Sequence, residues 1–354
     1  MTDSIETVSA PSRDAQAAAP TTRVSLSRVG VVGVEKIIRV GASQDGASDD
    51  ARVLRAERGA PGDGEASLYH ADLDCFVDLN PEQAGVHMSR FEEVVNEAID
   101  TVVLGEALRA EGLAAQIAEQ VRARQGGIRA EVRIAARYPE TVPAPISGLP
   151  TQELYTLFGT AVSSDRGTRT LVGVEAQGMT ACPCAQGLVE EGARERLVEE
   201  GFTSDEIERI VEAVPLATHN QRGIGTLHVG CTEDAGVDID ARRLLRIVES
   251  SMSSEIYELM KRADERAVVE KAHANPRFVE DCVREMIRQV TEAFPELRDG
   301  AFVHARQENM ETIHRHNVVA ERYGLLSEIS EELESGRHSR HHTTMREWLE
   351  APAA

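Results

Sequence analysis

Val24-Ser25-Leu26-Ser27-Arg28-Val29-Gly30-Val31-Val32-Gly33-Val34-Glu35-Lys36-Ile37-Ile38-Arg39-Val40 alternates apolar and polar side chains and is rich in β-branched residues. That pattern predicts a long strand. Working outward, Gly41 to Ser67 is polar and Gly-rich and reads as a loop, and Leu68 to Leu79 reads as a second strand. Ser89 to Arg124 has helical spacing, with two helices meeting near Gly105. Ile128 to Tyr138 and Leu154 to Val174 return to strand character. The order then repeats. Gln186 to Glu200 is helical, and Thr203-Ser204-Asp205-Glu206 is a capping box that opens another helix. Gly223 to Cys231 is a strand, Asp240 to Phe294 is dominated by helical spacing, and Ala301 to Gln307 and Val318 to Ile329 are strands. Strands that cluster in pairs around helices predict an α+β fold with antiparallel sheets. Residues 1–22, rich in Ala, Pro, Ser and Thr, read as a disordered tail, and residues 331–354 as a polar C-terminal tail.

The 354 residues carry 60 acidic against 38 basic side chains, a net charge of -22, and lysine occurs only at Lys36, Lys261 and Lys271. An acidic, lysine-poor surface suits molar salt, where self-repulsion is screened, so a halophilic microbe is the expected source. The same surface repels nucleic acid, and no nucleic-acid partner is expected. No run of about 18 apolar residues and no secretory leader occurs, so the expectation is a cytoplasmic protein without a membrane partner. Five cysteines, an odd number, argue against a disulfide framework. Neither the Rossmann nor the P-loop glycine fingerprint is present.

Five segments carry residue types suited to chemistry. Cys182-Pro183-Cys184 sits at a strand-to-helix junction, where a thiolate is favoured by the helix dipole; two buried structural cysteines would give the same pattern. Thr218-His219-Asn220-Gln221-Arg222-Gly223 groups a proton carrier, amides and a phosphate clamp just before a strand. Glu311-Thr312-Ile313-His314-Arg315-His316 would place both imidazoles on one face of a strand. His87-Met88-Ser89-Arg90-Phe91 stands at a helix start, where Ser89 serves equally as a cap. The fifth segment runs from Glu255 to Glu270. On one unbroken helix these two carboxylates lie about 22 Å apart. Either the helix breaks near Ala263-Asp264, or the two serve sites shared between subunits. His338, His341 and His342 are read as solvent-facing.

Together with Asn275-Pro276-Arg277-Phe278-Val279-Glu280-Asp281, these segments resemble the GTP cyclohydrolases of the type IB and archaeal type IV family, over residues 87–316. The long helical stretch between Cys182 and His219 looks like the archaeal branch. The resemblance implies a tunnelling fold, in which antiparallel sheets with helices outside assemble into barrels across subunits. It implies two tandem halves within residues 23–330, a homodimer or homotetramer, and active sites at subunit interfaces. It implies a metal site at Cys182, Glu255 and His314 with His219 beside it, holding Fe(II), or else Zn(II) or Mn(II). Cys184 is not carried over as a ligand. Catalysis would fall to Cys182, His219 and Glu270, with Glu270 gripping guanine. Substrate contacts would come from Arg222, Gln221, Lys261, Arg262, His87, Arg90, Glu311 and His316. The implied reaction opens the guanine ring of GTP. It yields 7,8-dihydroneopterin 2′,3′-cyclic phosphate, formate and diphosphate, or 7,8-dihydroneopterin triphosphate in the type IB branch. A nitrile reductase of the same fold, with Cys182 as nucleophile, and a non-catalytic purine- or pterin-binding module are the competing expectations.

Overall fold

A computed structural model describes residues 15–40, 67–102, 110–232 and 239–351. The predicted loop at 41–67, the helix junction at Gly105 and residues 1–14 of the expected tail therefore lie outside the described residues, apart from Ser67 itself.

Nine antiparallel strands form one sheet: β1 (Leu26–Val40), β2 (Ser67–Leu79), β3 (Arg129–Pro143), β4 (Pro150–Ser164), β5 (Gly167–Ala181), β6 (Asn220–Thr232), β7 (Ser254–Glu255), β8 (Phe302–Asn309) and β9 (Val318–Leu325). Neighbours in sequence are neighbours in the sheet, except that β7 pairs beside β5. Nine helices accompany them among the described residues: α1 (Met88–Val102), α2 (Ala110–Gln125), α3 (Pro183–Glu199), α4 (Ser204–Ala213), α5 (Ala241–Ser250), α6 (Arg262–Ala274), α7 (Val279–Ala293), α8 (Leu326–Ser335) and α9 (Met345–Glu350). The α+β antiparallel expectation holds. No helix among the described residues is long and apolar enough to cross a membrane.

Side-chain periodicity explains how the layers close. In β2, Ala71, Leu73, Cys75, Val77 and Leu79 all face inward, at the two-residue strand period. Helix α1 answers with Phe91, Val94, Val95 and Ala98, and α7 buries Val279, Cys282, Val283, Met286, Ile287 and Val290, both at the helical period. Two apolar cores result on one face of the sheet. One lies under α1 and α2, the other under α5, α7 and α8. On the opposite face Phe158, His228, His304 and Tyr323 follow one another across β4, β6, β8 and β9. Gly173 makes room there, since a Cβ at that position would stand 2.3 Å from the His228 ring. The C-terminal segment joins this face through Trp348, which packs with Val162, Leu171 and Phe302 and donates from its indole to Gly300 O at 2.9 Å.

Several expected boundaries shift. Leu154 to Val174 is not one strand but parts of β4 and β5, which turn at Asp165 and Arg166. The last strand stops at Leu325, where α8 begins with the inward pair Leu326 and Ile329. His314 and His316 lie in the loop between β8 and β9 rather than in a strand; their rings nevertheless stack, 5.2 Å between centroids. Glu255 is not helical. It belongs to β7, and α6 starts only at Arg262. The chain thus breaks just ahead of Ala263-Asp264, and the 22 Å separation of Glu255 and Glu270 on one helix does not arise.

Candidate active site

Strand β5 runs directly into α3 through Cys182. Its backbone is extended (φ -76°, ψ 118°), its Sγ accepts from Ala185 N at 3.5 Å, and Pro183 takes the first helical position. The partner strand β6 begins beside it. Cys182 N donates to His219 O at 3.1 Å, and Thr218 Oγ1 donates to Cys182 O at 2.7 Å. Two segments 37 positions apart are pinned together by their backbones at one end of the sheet. His219 Nδ1 lies 3.0 Å from Gln221 Oε1, and Gln221 Nε2 donates to Glu311 Oε1 at 3.3 Å. Gln221 lies inside the strand, not in a loop before it, and its neighbour Arg222 is exposed. Cys182, His219, Gln221 and Glu311 therefore form one group.

The floor behind them is held by the segment after α5. Ala181 N donates to Ser253 Oγ at 3.0 Å, and Arg277 N to Ala181 O at 2.9 Å. Asn275 Nδ2 reaches the carbonyls of Met252 and Ser253, each at 3.4 Å. The Asn275-Pro276-Arg277 stretch is thus a brace that returns the end of α6 to the end of β5. Asp264, fully buried, accepts from Ile146 N, Ser147 N, Ser147 Oγ and Lys261 N, at 2.7 to 2.8 Å. These bonds hold its carboxyl well below the usual carboxylate range and tie the β3–β4 turn to the start of α6. Lys261 and Arg262 are exposed on that start. Asp264 thus supplies only the returning half of a capping box, since the Lys261 side chain has no acceptor to offer the helix start.

Glu255 pairs with Lys271, and Glu270 accepts from Arg266 Nε at 2.7 Å, so both carboxylates sit around α6 of a single chain. Near Glu255 lies a group that sequence reasoning did not single out. Tyr155 Oη donates to Glu249 Oε1 at 2.6 Å. Burial pushes the Glu249 carboxyl up to about 7; the Tyr155 hydroxyl opposes the rise, and the charges of Glu255, Glu140 and Glu153 add to it.

Other expected site residues lie apart. In β5, Glu255 is opposite Gly178, four residues from Cys182 and so about 13 Å along the strand. Cys182, Glu255 and His314 do not bring three ligand atoms within 4.8 Å of one another; among the described residues the only such group is Glu35, His70 and Asp72, all exposed on β1 and β2. That triad has the ligand atoms to hold a metal ion, on strands away from Cys182. His87 is held by Gln125, through Gln125 Nε2 to His87 O at 2.8 Å, and Arg90 Nη1 donates to Arg124 O at 3.0 Å. Both lie where α2 leads into β3, whose Arg129 registers with Ser164 and so with Gly167. Cys182 follows the other end of β5, roughly 45 Å away at about 3.3 Å per residue. His87 and Arg90 thus stand at the opposite end of the sheet from Cys182 of the same chain. All five cysteines are free, with Cys75 and Cys282 buried and Cys184 exposed.

The sequence pattern of the family described as type I GTP cyclohydrolase folE2 matches residues 13–320. This chain belongs to that family. It is 38% identical over 326 residues to the GTP cyclohydrolase MptA of Methanococcus aeolicus, covering 90% of this chain and 99% of the relative. The MptA of Methanococcus vannielii is 38% identical over 328 residues, covering 91% and 98%. The MptA of Methanosarcina acetivorans is 37% identical over 329 residues, covering 90% and 96%.

Proposed function

We propose that the chain is a metal-dependent GTP cyclohydrolase of archaeal pterin biosynthesis, which releases formate and diphosphate and leaves 7,8-dihydroneopterin 2′,3′-cyclic phosphate. The observation that carries the reading is the junction of Cys182 with His219, two family positions pinned to each other at the end of β5 and β6. Thiolate, imidazole and carboxylate are the donors a borderline divalent metal takes. Cys182, His219, His314 and Glu255 supply that donor chemistry; in this structure Cys182, Glu255 and His314 do not converge, so metal binding would have to draw them together and release Glu255 from Lys271. Fe(II) is the preferred occupant, with Zn(II) or Mn(II) as substitutes; when bound, the ion supplies the Lewis acidity that makes a coordinated water acidic near neutral pH.

The remaining work falls to the chain's own side chains. His219 takes and returns the protons that move as the ring opens. Glu270 accepts from guanine N1–H and the 2-amino group, a donor pair that adenine does not present. Arg222, Lys261, Arg262 and Arg90 answer the phosphates, and His87 and His316 line the same pocket. Because His87 and Arg90 stand at the opposite end of the sheet from Cys182, the complete pocket is shared between subunits. The sheet face that carries His228 and His304 then turns inward, as in a tunnelling fold whose barrels close by assembly. On this reading residues 23–330 are two tandem halves, each with its own apolar core.

Anaerobic incubation with GTP and Fe(II), followed by product mass and a formate assay, tests the reading. Formate with the cyclic phosphate mass is the expected result. NADPH-dependent turnover of a nitrile without metal, or pterin binding without formate, would overturn it. Cys182→Ser should lose bound metal and formate release together, while Cys184→Ser stays close to wild type.

A further inference from the structure

One ring nitrogen of His219 faces two acceptors. Its Nδ1 is 3.0 Å from Gln221 Oε1 and 3.7 Å from Glu311 Oε2. Gln221 Nε2 donates to Glu311 Oε1 at 3.3 Å. The three side chains are closely enclosed: His219 is 13% exposed, Glu311 7% and Gln221 5%. A carboxylate only accepts, so Glu311 turns the amide nitrogen of Gln221 toward itself. The amide oxygen is left facing His219, and an oxygen without hydrogen can only accept as well. The neutral ring must carry its hydrogen on Nδ1, and Nε2 keeps the lone pair.

We propose that Glu311 and Gln221 are positioning residues, not contacts to the nucleotide, and that they lock His219 in the Nδ1–H tautomer so that Nε2 is the nitrogen offered to substrate or metal. The order of command runs from Glu311 to Gln221 to His219. Histidine free in water favours the other tautomer, so the lock works against the ring's own preference. The consequence for turnover rests on the cyclohydrolase reading; the tautomer itself does not.

Nitrogen-15 NMR on metal-free protein with labelled histidine, at mildly alkaline pH, reads the tautomer directly. His219 is assigned by the signals lost in His219→Asn. In the wild-type chain the unprotonated nitrogen should couple to both carbon-bound ring protons, which marks it as Nε2. Glu311→Gln gives Gln221 a neighbour that donates as well as accepts, so its amide can turn over. His219 should then relax toward the Nε2–H form, and kcat should fall on the order of 10- to 100-fold with KM for GTP little changed. Glu311→Asp keeps an acceptor-only group and should retain the wild-type tautomer. An Nε2–H ring in the wild-type chain overturns the proposal. So does a Glu311→Gln chain that keeps the wild-type tautomer while KM rises, the behaviour of a direct nucleotide contact. Should the wild-type chain release no formate from GTP, the cyclohydrolase reading fails while the NMR result still decides the tautomer.

Discussion

Glu249→Gln isolates the cost of a buried charge. The Glu249 carboxyl sits at about 7 in the folded chain against an ordinary 4.5, chiefly because burial penalises its ionised form. The folded state therefore holds a proton that the unfolded state has already lost. Stability falls as pH rises through that window, by about 1.4 kcal/mol per pH unit, to a total of about 3 kcal/mol above pH 7. Glutamine keeps the shape and an oxygen that can accept from Tyr155 Oη, but it has no charge to bury. Urea unfolding of metal-free wild type and variant should give the same difference in stability at every pH below about 4.5. That difference should then move in favour of the variant by about 3 kcal/mol between there and pH 8. Molar salt should remove only the part owed to Glu255, Glu140 and Glu153, since desolvation is not screened. Parallel stability curves from pH 4 to 8 would refute the reasoning.

Glu270→Gln replaces one acceptor by a donor and should lower GTP turnover roughly 10- to 100-fold with metal content intact; loss of metal would show that the wrong carboxylate was assigned. Trp348→Ala removes an indole that is 2% exposed; it should cost about 3–5 kcal/mol in urea unfolding and leave the Cys182 end of the sheet able to bind metal. Cys182→Ser and Arg90→Ala, each inactive alone, should complement when unfolded and refolded together. In a 1:1 mixture of a symmetric dimer, half the dimers are mixed and each holds one intact site, so about one-quarter of wild-type activity should return. Mixed oligomers with no activity would place both residues in one chain's site.

What the sequence made legible was local. The capping box at Thr203 and Glu206 closes as expected, because both partners lie within one helical turn. The alternation of β2 survives because that strand has one buried face; in β1 a bulge between Val31 and Val34 shifts the alternation, and Leu26, Val32 and Ile37 stay exposed. The Cys182 junction was legible because a proline after a cysteine marks a helix start. Long-range pairing was not. Glu255 is drawn out of a helical pattern by two residues of pairing with β5, a partner more than seventy positions away. His314 and His316 alternate like a strand, yet the pairing of β8 with β9 ends at Asn309 and Val318, so nothing holds that stretch extended. The separation of His87 and Arg90 from Cys182 depends on the register of three strands, and no motif spacing encodes it.

The four bonds into Asp264 have a kinetic meaning as well. Ile146 and Ser147 sit in an exposed turn, where backbone amides ordinarily trade their hydrogens with water at once. Here those amides end on a carboxylate sealed beneath α6. They can exchange only in the moments when the turn lifts from the helix. Their deuterium uptake, together with that of Lys261, is therefore a clock for the opening of the segment that presents Lys261 and Arg262. It needs no substrate and no probe attached to the protein.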